Sequence, residues 1–212
     1  MPDPRTEFAI AVLGAMNPAI HSPDWYRSLE LISDSELAES RGLGLAVTQI
    51  VSNFQVPSFQ VVCTEEKWLI RASESQAERV MRIAQGVFEA LEHTPVSAYG
   101  INFNLHVEGD APDVHRRFTS RIGTILRLEE EVEFCSLSYA VLLDGRTLNA
   151  RIEPSRQQAN RLFMSLNYHY GVSAQQFQRF DLGTLLQEAA ERDRRDYPGR
   201  CSHLIGALSE GS

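Results

Sequence analysis

At 212 residues the chain is long enough to bury a self-sufficient core, and with 43% apolar and 23% charged residues it has the composition of a globular rather than a disordered protein. Its formal net charge of -8 argues against a nucleic-acid-binding surface, because phosphate contacts require clustered basic side chains. We therefore do not expect nucleic acid as a partner.

The three cysteines, Cys63, Cys135 and Cys201, are far apart and form no C-x-x-C pair, which fits a reducing compartment and indicates no zinc or redox site. Cys63 and Cys135 lie in apolar runs, so we expect buried structural thiols rather than nucleophiles. The N-terminus lacks the basic start and long apolar core of a signal peptide, and no window approaches the roughly 18 apolar residues of a membrane span. These features predict a soluble, cytoplasmic, bacterial-type protein.

The first elements in chain order are strands with one short helix. We predict a buried strand over 8–15, a short helix over 24–32 and a polar connection over 33–44. Strands are then expected over 45–54, 56–63 and 68–72, with a bend near Pro57 and a hairpin turn at 64–67.

The clearest helix is predicted over 75–93, because its apolar residues recur at the spacing of one buried stripe. Ser75 and Glu78 have the spacing of a capping box at its start, and Pro95 follows its end. A strand over 96–108 and a second helix over 113–128 complete the first half of the chain.

The second half is expected to repeat this composition of elements. Asp144 and Gly145 form a strong two-residue hairpin signal between strands over 132–143 and 146–153. A strand over 162–171 follows, then a helix over 182–195 capped by Asp181 and a short helix over 201–208. The predicted fold is α+β, with two similar halves (1–128 and 129–212) in one compact body. Each half is a small, mainly antiparallel sheet with helices packed on one face.

Two of the predicted strands, 101–108 and 162–171, share an Asn-x-His sequence, at Asn104 to His106 and at Asn167 to His169. Alternation places their polar side chains on one face and their apolar side chains on the other. If the strands are neighbours, amides and imidazoles converge into a candidate binding face; the alternative is an ordinary solvated sheet face. The candidate residues are Asn102, Asn104, His106, Glu108, Asn149, Arg151, Asn167 and His169.

Other chemistry has weaker sequence support. His106, Glu108, His115 and His169 are of metal-ligating type but lack any fixed ligand spacing, and standard nucleotide and hydrolase motifs are absent, so no metal, cofactor or catalytic residue is predicted. The charged segment 188–195 is typical of a solvated helix face, with a docking surface as the alternative.

The leading functional hypothesis is a non-enzymatic subunit that binds a partner protein or itself through a sheet face or edge. It rests on aromatic side chains, among them Phe54, Phe59, Trp68 and Tyr99, which we expect to overfill one thin layer. Some of them should then be covered by the other half of the chain or by another subunit. The alternative is a small-molecule binder or enzyme that uses His106 and His169 on the polar face, since histidine serves acid-base chemistry at neutral pH.

Overall fold

A computed structural model describes residues 6–108, 114–127, 136–158, 161–172 and 181–209. These residues form one nine-stranded sheet in the order β2-β3-β4-β5-β1-β6-β9-β8-β7, and every neighbouring pair is antiparallel. The strands are β1 (Glu7–Gly14), β2 (Ala46–Val47), β3 (Val51–Val56), β4 (Phe59–Thr64), β5 (Lys67–Ser73), β6 (Val96–Glu108), β7 (Leu137–Leu143), β8 (Arg146–Pro154) and β9 (Arg161–Gly171).

Five helices accompany the sheet in the described part of the chain: α1 (Pro23–Ser28), α2 (Asp34–Ser40), α3 (Ala77–Ala90), α4 (Val114–Leu126) and α5 (Leu182–Ser209). The helices α3 and α5 pack side by side over the centre of the sheet. Phe88 of α3 lies edge-on to Trp68 of β5, and Tyr197 of α5 stacks on Phe103 of β6 with ring centroids 4.1 Å apart. None of the described helices is long and apolar enough to cross a bilayer.

The alternating sequences explain why the sheet has one buried face and one less buried face. Along β9, every second side chain from Leu162 to Tyr170 is buried, whereas those between are half-buried. Strand β6 alternates in the same way from Ile101 to His106. It pairs with β9 in unbroken register from Ala98 opposite Gly171 to Glu108 opposite Arg161. The buried side chains of both strands join one hydrophobic cluster beneath the helices.

The four aromatic residues expected to need a cover from the other half of the chain or from another subunit are buried by the chain itself. Phe54 packs against Tyr26 and Phe59, Trp68 against Phe88, and Tyr99 stacks on Tyr170 at 4.6 Å. The helical layer is therefore thick enough to enclose them. Of the two covers expected, the chain itself is therefore sufficient, and these four residues give no support to a covering subunit.

The mixed α and β content and the antiparallel sheet are confirmed, but the two similar halves are not, since one larger sheet contains all nine strands. The pairing of β6 with β9 joins what was predicted as two sheets into one. Pairing between segments far apart in sequence leaves no local signal, so composition alone could not reveal it. The boundary at 128/129 lies within a stretch outside the described residues and stays a prediction.

Several local predictions also differ from the structure. The single strand expected over 45–54 is the antiparallel pair β2 and β3, and the helix expected over 24–32 ends at Ser28. The connection 33–44 contains α2, whose capping box joins Ser33 and Glu36. The capping box expected for α3 is absent, because Ser75 lies in a short 3-10 turn and the residue before the helix, Gln76, makes no side-chain cap. The two C-terminal helices are one helix, α5, which continues through Pro198 because its buried residues continue onto the sheet on both sides of it.

Candidate functional site

The face of the sheet opposite α3 and α5, here called the open face, carries the predicted polar residues. Asn102, Asn104 and His106 of β6 lie on it, as do Asn167 and His169 of β9. Asn149 and Arg151 of β8 lie on the same face, opposite Asn167 and Ser165 of β9. Glu108 ends β6 opposite Arg161, and its side chain lies outside the described part of the structure. The two Asn-x-His strands are thus direct neighbours, and their polar side chains share one face.

Three asparagines form a hydrogen-bonded row across β6, β9 and β8. The Asn167 amide donates to Asn102 Oδ1 at 2.6 Å, and the Asn149 amide donates to Asn167 Oδ1 at 3.2 Å. Register places all three directly opposite one another, which is why short side chains suffice to bridge the strands. Much of their hydrogen-bonding capacity is used internally and is not presented to a ligand.

A second polar chain runs the other way, from β6 across β1, β5, β4 and β3. Asn104 donates to Glu7 Oε1 at 2.9 Å, and Glu7 lies 3.8 Å from an Arg71 nitrogen as an ion pair. Arg71 Nε donates to Gln60 Oε1 at 2.8 Å, and Gln60 donates to Asn53 Oδ1 at 2.8 Å. The exposed positions of these pairs limit their contribution to stability.

The two histidines share the open face but not one site. His169 lies opposite Gly100 and Thr147, whereas His106 lies opposite Phe163, six residues farther along β6. At about 3.3 Å per residue, this separation is about 20 Å. His106 Nδ1 is 2.9 Å from Ser155 Oγ, and its ring packs beside Phe163. The structure therefore brings the asparagines together and keeps the imidazoles apart.

Arg151 occupies the outer part of the open face. It pairs with Glu153 on its own strand and donates from Nε to Ser136 Oγ at 3.2 Å. Among the described residues no three His, Cys, Asp or Glu side chains lie close enough together to hold a metal ion. Cys63 and Cys201 are buried, and burial raises the pKa of each thiol to about 12; Cys135 lies outside the described residues.

Sequence reasoning missed two buried polar clusters beneath the helices. In one, Trp68 Nε1 donates to the Tyr26 hydroxyl at 2.8 Å, and that hydroxyl is 3.1 Å from His21 Nδ1. In the other, Asp193 of α5 meets Tyr170 and Arg146. Their members are scattered along the chain, so only the fold brings them together. Both clusters lie in the core, where they stabilise the packing rather than meet solvent.

The outer strand β7 is apolar and largely exposed. Its only described strand neighbour is β8, so its other edge carries unpaired backbone groups within the described chain. Leu142 is 84% exposed on the open face, and Leu137 and Val141 are each 38% exposed on the core face. The opposite edge of the sheet is β2, which is only two residues long.

A scan against protein-family models finds no match to this chain, and neither does a search of curated proteins.

Proposed function

We propose that the chain is a non-enzymatic protein-binding or assembly subunit that accepts a strand from a partner along the free edge of β7. The observation that carries this proposal is an edge strand of seven residues, Leu137–Leu143, with exposed apolar side chains. Strand addition uses the unpaired backbone groups of such an edge for affinity and its alternate side chains for specificity.

Three features that often prevent edge pairing, namely charge, proline and a bulge, are missing from β7. Its sequence, LSYAVLL, contains no charge and no proline, and its register with β8 continues without a bulge. By contrast, the other edge is blunted by the shortness of β2. A long apolar edge is costly to leave in water because it promotes uncontrolled pairing, so its retention favours a specific partner.

The core side of β7 also supports strand addition. Tyr139 and Leu143 pack against the hydrophobic core, whereas Leu137 and Val141 on the same face stay more than one third exposed. Within the part of the chain that the structure describes, the apolar core therefore extends to this edge of the sheet and is not closed there. An added strand would cover these side chains and continue the sheet.

The test is photocrosslinking in the native host, with a photoreactive phenylalanine derivative in place of Leu142. The matched control carries the same group in place of Ile50, which is 66% exposed between β2 and β3 at the other edge of the sheet. We expect a crosslinked protein, identified by mass spectrometry, from position 142 and none from position 50. Crosslinking from neither position, or from position 50 alone, would overturn the proposal.

The alternative, a small-molecule binder or enzyme on the open face, has less support. His106 and His169 lie at different ends of the β6–β9 pair, so a site would have to use one of them alone. The asparagines beside them already bond one another. A ligand retained by the protein in native mass spectrometry, and lost on His106→Ala or His169→Ala, would favour this alternative.

A further inference from the structure

We propose that the strand added to β7 is β7 of a second copy of this chain, paired antiparallel about a two-fold axis at Ala140. This inference rests on the proposed function and specifies the partner. The resulting assembly would be a dimer with one continuous eighteen-stranded sheet, since each copy contributes nine strands.

Self-pairing requires that the strand be complementary to itself. A two-fold axis perpendicular to the sheet keeps each side chain on its own face, so the two residue numbers in every opposed pair must have an even sum. Centring the axis on Ala140 satisfies this condition and pairs the whole of β7, from Leu137 opposite Leu143 to Leu143 opposite Leu137. Because β7 contains no charged residue, no like charges meet within the paired strands.

This register matches side chains by face. On the core side it places Tyr139 of one copy opposite Val141 of the other, which adds apolar contacts to a half-covered part of the core. On the open side it places Leu142, the most exposed of the large apolar side chains noted above, opposite Ser138. Each contact occurs twice by symmetry, so the exposed apolar groups of both copies are covered together.

Charge at the ends of β7 favours the same register. Continued by one residue, it places Asp144 of one copy opposite Ser136 of the other. Ser136 Oγ already accepts a hydrogen bond from Arg151 Nε at 3.2 Å, so the exposed Asp144 carboxylate meets a guanidinium across the interface. Exposed pairs of this kind contribute little affinity but discriminate between registers.

The first measurement is sedimentation velocity of the purified full-length protein over a wide concentration range. We expect a species of twice the monomer mass, and we expect Leu142→Lys to sediment as a monomer, because a lysine at the edge opposes strand pairing. Ile50→Lys is the matched control and should leave the dimer unchanged. Circular dichroism confirms that both variants are folded.

The second measurement fixes the register by disulfide formation with diamide as the oxidant, in a Cys135→Ser background. At a two-fold axis through position 140, Ala140→Cys places two thiols on directly opposed residues, whose Cα atoms are about 4.5 to 5.5 Å apart in either type of antiparallel pair. Ser138→Cys is the matched control on the same exposed face: its two copies would be displaced by four residues, about 13 Å, and cannot bridge. We expect a covalent dimer from the first variant only.

The outcomes separate this inference from the proposed function. A wild-type protein that stays monomeric throughout would overturn the second copy as partner, while crosslinking from position 142 to a different protein would still support strand addition. A dimer that Leu142→Lys leaves intact would overturn β7 as its interface. A dimer lost in Leu142→Lys but crosslinked through Ser138→Cys rather than Ala140→Cys would overturn the register.

Discussion

The Tyr170 hydroxyl donates a 2.7 Å hydrogen bond to Asp193 Oδ2, which joins strand β9 to the long helix α5. Arg146 Nε from β8 lies 3.1 Å from the other carboxylate oxygen, and Arg192 donates to the Tyr170 hydroxyl at 2.9 Å. Asp193 is fully buried. Because this carboxyl group is buried, its ionisation affects the stability of the fold.

We expect Asp193 to weaken the folded state as pH rises from about 4 to 6. Burial raises the pKa of its carboxyl from 3.8 to about 6, although the Tyr170 hydrogen bond and the Arg146 charge oppose this shift. In that window the folded chain holds a proton that the unfolded chain has released, so stability falls as pH rises and levels off above the folded pKa.

The matched variant is Asp193→Asn, which keeps an oxygen for the Tyr170 hydroxyl but cannot ionise. The free energy of unfolding of the variant minus that of the wild type should increase between pH 4 and 6 by on the order of 2 to 3 kcal/mol. Urea unfolding at several pH values measures this difference. A difference that is flat across the window would contradict the assignment.

The ionisation of His21 should have the opposite effect on the pH dependence of stability. Burial lowers the pKa of its imidazole from 6.5 to about 4, and the neutral ring can accept a hydrogen bond from the Tyr26 hydroxyl at Nδ1. The unfolded chain therefore binds the proton first, and stability is lost as pH falls through the range 6.5 to 4. The loss should reach about 3 kcal/mol at the acid end.

The test variant is His21→Asn, whose side-chain oxygen can accept from Tyr26 but does not titrate. The free energy of unfolding of the variant minus that of the wild type should increase as pH falls below 6.5. Because Asp193 is unchanged in both proteins, the subtraction isolates the histidine. Equal acid sensitivity in both proteins would show that His21 is not the titrating group.

The sequence predicted the strands well where burial alternates, as in β6 and β9, because a period of two is a local signal. It also located the hairpin at Asp144 and Gly145, where Gly145 has the positive φ of 68° that such a turn needs. It failed where tertiary packing outweighs local preference, as at Pro198 inside α5. Strand order and the single sheet depend on long-range pairing, which no local pattern encodes.

The candidate site was predictable to the same extent. Alternation placed Asn102 and Asn167 on one face, but their direct opposition in neighbouring strands follows only from the register. The separation of His106 from His169 likewise depends on antiparallel direction, which reverses the order of the two motifs. The apolar sequence of β7 was visible, whereas its place at the edge of the sheet was not.

The hydrogen-bonded row of asparagines should stabilise the fold. Asn167→Ala removes the donor to Asn102 and the acceptor of Asn149 at once. Water replaces part of both bonds on a half-exposed face, so we expect a loss of about 1 kcal/mol in the free energy of unfolding. Ser165→Ala on the same face of β9 is the control and should cost less. Equal effects in the two variants would contradict a stabilising role for the row.

Two glycines should respond in opposite ways to alanine. At Gly14, where the β1–β6 register shifts, an added Cβ would lie 2.0 Å from the Pro95 carbonyl oxygen. The obstacle is backbone, which cannot rotate away, so we expect Gly14→Ala to lower the free energy of unfolding by about 2 to 3 kcal/mol. Gly199 in α5 has open space around the Cβ position.

Gly199→Ala therefore serves as the matched control and should raise stability by about 1 kcal/mol, because alanine loses less backbone entropy than glycine in a helix. Thermal and urea unfolding of the two variants beside the wild type measure both effects. If Gly14→Ala were tolerated as well as Gly199→Ala, strand β1 would not approach Pro95 as closely as the structure has it. The register that aligns the open face across β1 and β6 would then need revision.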